Sequence, residues 1–277
     1  MTTVEVGPRG LRLALCEWPG RADAVPVVIV HGFLEQGAAW DAVATALDRR
    51  VYAPDQRGHG RSDHVGPGGW YHFWDYVADL DAVVGAIGGP VDLIGHSMGG
   101  TVSALYAGAR PEQVRRLVLV EGLGPPDATG DTVRRAREFL RDRREPPAHR
   151  PLADLDDAAA RLRRSNPALA PAEALRLAAR ASGPVGDGWG WTWDPLHRGR
   201  APNPFSAAQF REFLREIRAP VLAIDGGASA FRVPDHDERL AALQSVEHDQ
   251  IPGAGHLVHH DDPIGLARRV RAFLDRP

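Results

Sequence analysis

Lysine is absent from this 277-residue chain, so arginine supplies all 33 of its basic side chains other than histidine. We read that as a coding bias without mechanistic weight. Cysteine occurs once, at Cys16, which excludes an intramolecular disulfide; its place in the strand-like run Leu11 to Trp18 predicts a buried apolar filler. No run of about 18 apolar residues occurs and no N-terminal basic-plus-apolar signal is seen, so the expectation is a cytoplasmic protein without membrane contact. A net charge of −3 gives no field to gather nucleic acid or an anionic membrane. Histidine and cysteine pairs at metal-ligand spacing are missing, and Gly58 to Gly60 lacks the lysine and frame of a phosphate loop, so neither metal nor cofactor is expected. What remains is 43% hydrophobic and 25% charged. That composition suits one large core with an insertion; the expected partner, on the motifs below, is a small-molecule substrate.

Against these absences stands Val91-Asp92-Leu93-Ile94-Gly95-His96-Ser97-Met98-Gly99-Gly100, a serine between glycines at the end of a buried-strand pattern. Helical spacing then runs through Val102, Leu105 and Tyr106. So sharp a reversal presses backbone on backbone, which calls for Gly95 and Gly99, and it lifts Ser97 Oγ over the end of a sheet at a helix N-terminus. The pattern is a nucleophile elbow. A glycine-flanked serine in a plain turn has the same local sequence, so the rest of the chain must supply an oxyanion donor upstream and an acid and a base downstream.

Upstream, the strand run Val27 to Val30 ends in His31-Gly32-Phe33-Leu34. The Phe33 N–H is the natural first oxyanion donor and the Met98 N–H the second. Downstream, Ile251-Pro252-Gly253-Ala254-Gly255-His256-Leu257 puts a histidine on a glycine-rich loop before an amphipathic helix from Pro263 to Leu274. His256 is the expected base, since a serine hydroxyl needs one near neutral pH. His259 and His260 read as surface histidines.

These residues resemble the α/β-hydrolase family, along nearly the whole chain. Asp55-Gln56-Arg57-Gly58-His59-Gly60-Arg61-Ser62, the strand Arg116 to Val120 and the late strand Ala219 to Ile224 add to the likeness. The resemblance implies an α/β fold, a mostly parallel doubly wound sheet with a helical cap inserted after the strand ending near Val120. The expected division is a core of residues 1–124 and 206–277 and a cap of residues 125–205. The residues agree, because strand and helix patterns alternate until Pro125, after which helices are expected at Thr132 to Arg144, Leu155 to Arg164 and Ala172 to Ala181. The many charges of the cap are expected to form a solvated outer face.

One position departs from the family pattern. Its members often carry the triad acid three residues beyond the glycine after the late strand, and counting from Gly226 lands on Ser229. Glu121, at the end of Leu117 to Val120, is the preferred replacement, and haloalkane dehalogenases of the superfamily resemble that arrangement. Asp225 is the alternative acid; ordinary pairing with an arginine explains either carboxylate equally well.

Gly188-Trp189-Gly190-Trp191-Thr192-Trp193 places three tryptophans at alternate positions. They suit an apolar wall over Ser97, with Leu34, Trp191, Trp193 and Leu257 as pocket residues, or simple packing of the cap onto the core. Trp74 could reach the pocket rim. The expected activity is that of a serine hydrolase cleaving a carboxylic ester or related acyl bond through an acyl-enzyme. A carbon–carbon bond hydrolase and a weakly catalytic ligand receptor are the alternatives, the latter needing no turnover at all.

Overall fold

Aliphatic and β-branched runs fold into one eight-stranded sheet in this computed structural model, which describes residues 2–6, 10–167 and 169–276. The strands are β1 (Thr2–Val6), β2 (Leu11–Trp18), β3 (Val27–Val30), β4 (Val51–Pro54), β5 (Val91–His96), β6 (Val114–Val120), β9 (Val221–Gly226) and β10 (Val246–Ile251), while β7 (Ser182–Val185) and β8 (Gly188–Trp191) form a separate hairpin. Their order is β1-β2-β4-β3-β5-β6-β9-β10. β2 runs antiparallel to both β1 and β4, every other pairing within the eight-stranded sheet is parallel, and the β7–β8 pair is antiparallel.

Helices α1 (Asp41–Ala46), α2 (Phe73–Ile87) and α3 (Met98–Ala109) alternate with the early strands. Between β6 and β9 come α4 (Thr132–Arg144), α5 (Leu155–Ser165), α6 (Pro171–Ala181), the β7–β8 hairpin and α7 (Ala207–Glu216). The chain closes with α8 (His236–Ala242), α9 (Val258–Asp261) and α10 (Pro263–Leu274). Several ends follow from the sequence: Asp154, Ser206 and Asp262 cap α5, α7 and α10 through their side chains, Pro171 opens α6, and α2 stops at Gly88 with φ 89°.

Strand alternation divides the core in two. Val27 and Ile29 pack with Trp40, Val43 and Leu47 and with Val270 and Phe273 of α10. Val28 and Val30 meet Leu80 and Val84 of α2, Tyr106 of α3 and Leu214 of α7. Each such aliphatic or aromatic side chain contributes about 1.5–3 kcal/mol on burial. The inserted segment is joined to the first of these cores, through Leu152, Ala158, Ala174 and Leu177.

The strand holding the elbow is less uniform than its hydropathy suggests. Asp92 is fully buried within β5, and it is tolerated there because Arg49 lies 3.1 Å away and Arg115 grips both carboxylate oxygens. Cys16 is half-buried, and burial pushes its thiol up to about 11, as an inert filler requires. No helix among the described residues is long and apolar enough to cross a membrane.

Candidate active site

At the end of β5 the chain turns through Ser97 with φ 50° and ψ −117°, and α3 begins at Met98. A non-glycine residue held in such a region costs about 1–3 kcal/mol. Hydrogen bonds hold it there: the Ser97 N–H donates to the Val120 carbonyl (3.1 Å) and the Thr101 N–H to the Ser97 carbonyl (3.1 Å). The flanking glycines are steric necessities, since a Cβ at Gly95 would lie 2.5 Å from Ser103 Oγ and one at Gly99 only 2.1 Å from the Val30 carbonyl oxygen.

The loop after β3 approaches from the neighbouring strand. Gly32 donates its N–H to Glu35 Oε2 (2.8 Å), and Leu34, at φ 60°, donates its N–H to His59 Nε2 (3.3 Å). Among the described residues no protein acceptor meets the N–H of Phe33 or of Met98. Both amides therefore remain available to a ligand.

Folding brings Ser97, His256 and Glu121 together from three distant segments. His256 Nε2 lies 3.0 Å from Ser97 Oγ, and its Nδ1 lies 2.9 Å from Glu121 Oε2. A carboxylate only accepts, so the proton sits on Nδ1 and leaves Nε2 free to accept from the serine hydroxyl. Glu121 itself sits at φ 50° at the tip of β6. Burial pushes its carboxyl up, but hydrogen bonds from His256, the Gly226 N–H (2.7 Å) and the Ser229 hydroxyl (2.8 Å) outweigh this and hold it below the ordinary carboxylate range.

Asp225 is not brought to His256. Its Oδ2 faces His236 Nε2 at 3.0 Å and His248 Nε2 at 2.8 Å, so the strand-end carboxylate pairs with histidines and not with arginine. Ser229, where the family count falls, donates its hydroxyl to Glu121 Oε2.

A cavity of about 840 Å³ opens at the segments that carry Phe33 and Leu257. Phe33, Leu34, Leu257, Trp191 and Trp193 line it; Ser97 and His256 are not among the lining residues, although Leu257 follows His256 in the chain. The third tryptophan of the run, Trp189, is not part of the lining and donates its Nε1–H to Ser182 Oγ (2.9 Å). Trp74 is exposed against Phe213, with ring centroids 5.4 Å apart, and is not among the lining residues either. Arg150, Arg161, Arg164 and Arg198 of the inserted segment do line the cavity. Arg137 and Arg144 of α4 are exposed, as the expectation of a solvated face has it; Arg150, Arg164 and Arg198 are exposed as well while lining the cavity, and of the four only Arg161 is partly buried.

The sequence model of the alpha/beta hydrolase fold matches residues 25–175, more than half the chain. The chain belongs to the α/β-hydrolase family. Its relatives include the 3-hydroxybutyrate-oligomer hydrolase of Cupriavidus necator, 29% identical over 280 residues that cover 97% of this chain and 95% of the relative. Among solved structures, the thioesterase domain from the curacin biosynthetic pathway is 31% identical with a TM-score of 0.85, covering 99% of this chain and 97% of that one. A hypothetical protein from Pseudomonas aeruginosa PAO1 is 30% identical with a TM-score of 0.88 over the full length of both.

This α/β-hydrolase also gathers groups that no sequence spacing reveals. Glu35, His96 and His259 bring ligand-type atoms within 4.8 Å of one another, as do Asp225, His236 and His248. His96 Nδ1 lies 2.9 Å from Glu35 Oε2, and its Nε2 lies 3.0 Å from the carbonyl oxygen of His256, tying the elbow strand to the histidine loop. The expectation for His259 and His260 is corrected: α9 folds both rings inward. His259 is 2% exposed, stacked on Trp40 at 4.3 Å, and burial lowers it to about 3. Only their place two and three residues after the His256 loop ends could have hinted at this.

Proposed function

We propose that this α/β-hydrolase is a serine esterase of small molecules that works through an acyl-enzyme. Ser97 Oγ attacks the carbonyl carbon while His256 Nε2 takes the hydroxyl proton, and the carbonyl electrons move onto oxygen as a tetrahedral intermediate. The N–H groups of Phe33 and Met98 stabilise that oxyanion, a contribution of about 10²–10³ in rate per donor. His256 then returns the proton to the leaving alcohol or thiol, and a water repeats the sequence to release the acid. Glu121 holds the imidazole in the tautomer required and stabilises its positive form without taking the proton.

The carrying observation is the unbroken relay Ser97 Oγ, His256 Nε2, His256 Nδ1, Glu121 Oε2, with gaps of 3.0 and 2.9 Å. A serine nucleophile argues against epoxide and haloalkane chemistry, which need a carboxylate at that position. The likeness to a 3-hydroxybutyrate-oligomer hydrolase and to a thioesterase domain supports an oxo- or thioester. The cap reading of residues 125–205 is supported by the lining that this segment gives the cavity.

A panel of chromogenic esters of graded acyl length tests the proposal. Multiple turnovers on at least one of them, reduced by about 10⁶ in kcat by Ser97→Ala, are expected. Stoichiometric binding without turnover would make the protein a receptor, and activity that survives Ser97→Ala would remove the mechanism.

A further inference from the structure

Arg150, Arg164 and Arg198 are exposed to solvent and also line the cavity, so a ligand there meets guanidinium groups that an anion on the ligand can engage. The two acidic residues lining this cavity are already engaged. Glu35 accepts from the Gly32 N–H and faces His96 and His259. Asp157 is held by Arg161, at 3.2 Å through Nε and 2.7 Å through Nη2, and accepts from the Ala153 N–H. Arg161 is fully used as well, since it also donates to the carbonyls of Arg150 and Pro151 and so fixes the backbone that carries Arg150.

Two lining arginines are left over. Neither Arg150 nor Arg198 has a carboxylate partner among the described residues. Arg198 is nevertheless ordered by stacking, its guanidinium carbon 4.9 Å from the Trp193 ring, and a stacked guanidinium presents its donors edge-on in a fixed plane. Arg164 adds a third positive group, reaching Asp157 only at 3.9 Å. The same cavity has apolar walls at Leu162, Leu177 and Trp191. Apolar wall and unneutralised guanidinium together match a ligand with an apolar stem and an anionic end.

Resting on the esterase reading, we propose that this cavity takes esters or thioesters bearing an oxyanionic group, a carboxylate or its sulfate or phosphate equivalent, remote from the scissile bond and bound by Arg150 and Arg198. The anion could be carried on the acyl part or on the leaving group, and the two arms of the test separate these sources. The first compares the 4-nitrophenyl monoester of glutaric acid with 4-nitrophenyl pentanoate, which is of nearly equal length but neutral. The second compares phenyl pentanoates with and without a sulfonate on the ring. In at least one arm the anionic ester is expected to have the higher kcat/KM by at least about 10-fold, the range of charge-assisted hydrogen bonds. That advantage should shrink with added salt and vanish in Arg150→Gln/Arg198→Gln, with the neutral ester within about 2-fold of wild type. Equal rates in both arms, or a preference that survives the double substitution, would overturn the assignment. Should no ester of either charge be turned over, the esterase reading fails, and calorimetric titration with glutarate decides the anion site independently: binding lost in the double variant keeps it, and no binding to the wild type removes it.

Discussion

The strand-end floor and the inserted segment above it are held by different kinds of force. On the floor, backbone does the positioning: Ser97 and Glu121 sit at φ 50° at adjacent strand tips, and Gly95 and Gly99 allow main chain to touch main chain. In the insertion, side chains do it, through pairs such as Asp157–Arg161 and Glu173–Arg176 and through the His149 contact with the Trp193 carbonyl at 2.7 Å. Partly exposed pairs of this kind contribute about 0–1 kcal/mol each. On the proposed reading, the floor is expected to be intolerant of change and to set the chemistry, and the insertion to be open to piecemeal alteration and to set what enters.

The sharpest way to break that division is at the acid. Glu121→Gln should lower kcat by about 10³–10⁴ with KM little changed, because the imidazole loses both its tautomeric guide and its charge partner. Asp225→Asn, one residue from Gly226 on the neighbouring strand, should stay within about 3-fold, since its partners are His236 and His248. The reverse ranking would give Asp225 the role assigned to Glu121. Next comes the backbone contact: Gly99→Ala should cost about 3 kcal/mol or more, as overpacking against a carbonyl cannot relax. Thermal unfolding would then fall by about 6–12 °C. An unchanged midpoint would mean that the elbow is looser than its 2.1 Å clearance implies. On the insertion, Trp191→Ala should reduce kcat/KM for long acyl esters by about 10-fold and leave the acetate ester within about 3-fold. An equal loss on both would place Trp191 with the floor.

Residues that act through local chain geometry were legible in the sequence. The glycines around Ser97, the short loop to Phe33 and the glycine pair before His256 each encode a turn, and turns are read over a few positions. Glu121 was legible only as one of two choices, because strand order, not spacing, decides which carboxylate meets a loop from the end of the chain. The helices of the insertion were legible for the same reason as the turns: the expected start at Ala172 and the observed start at Pro171 differ by one residue. The cavity-lining arginines were not. Charge on a helix says nothing about which side is wet until the partner surface is known, and Asp157 and Arg161, one turn apart, look the same on an outer face as on a cavity wall. Nor could any pattern place Glu35, His96 and His259 in contact, since they are brought together from three separate segments.

Ser229 offers the finest test, because it stands where the family often has its acid and donates to Glu121, the acid of the proposed relay. Ser229→Ala should cost about 1–2 kcal/mol at neutral pH, the loss of one hydrogen bond to a charged acceptor, and lower kcat by less than about 10-fold. Its pH signature follows from the depressed carboxyl of Glu121. A carboxyl lower in the folded than in the unfolded chain binds fewer protons when folded, so its stabilisation is complete above the unfolded value of about 4.3 and is lost as pH falls through the folded one. With one of its three donors removed, Glu121 moves back toward the ordinary range. The variant should gain less stability between acid and neutral pH than the wild type does, so that the two unfolding curves converge as pH drops. Parallel curves across that range would mean that the Ser229 hydroxyl does not support the charged form of Glu121, and that the Gly226 amide and His256 hold it without help.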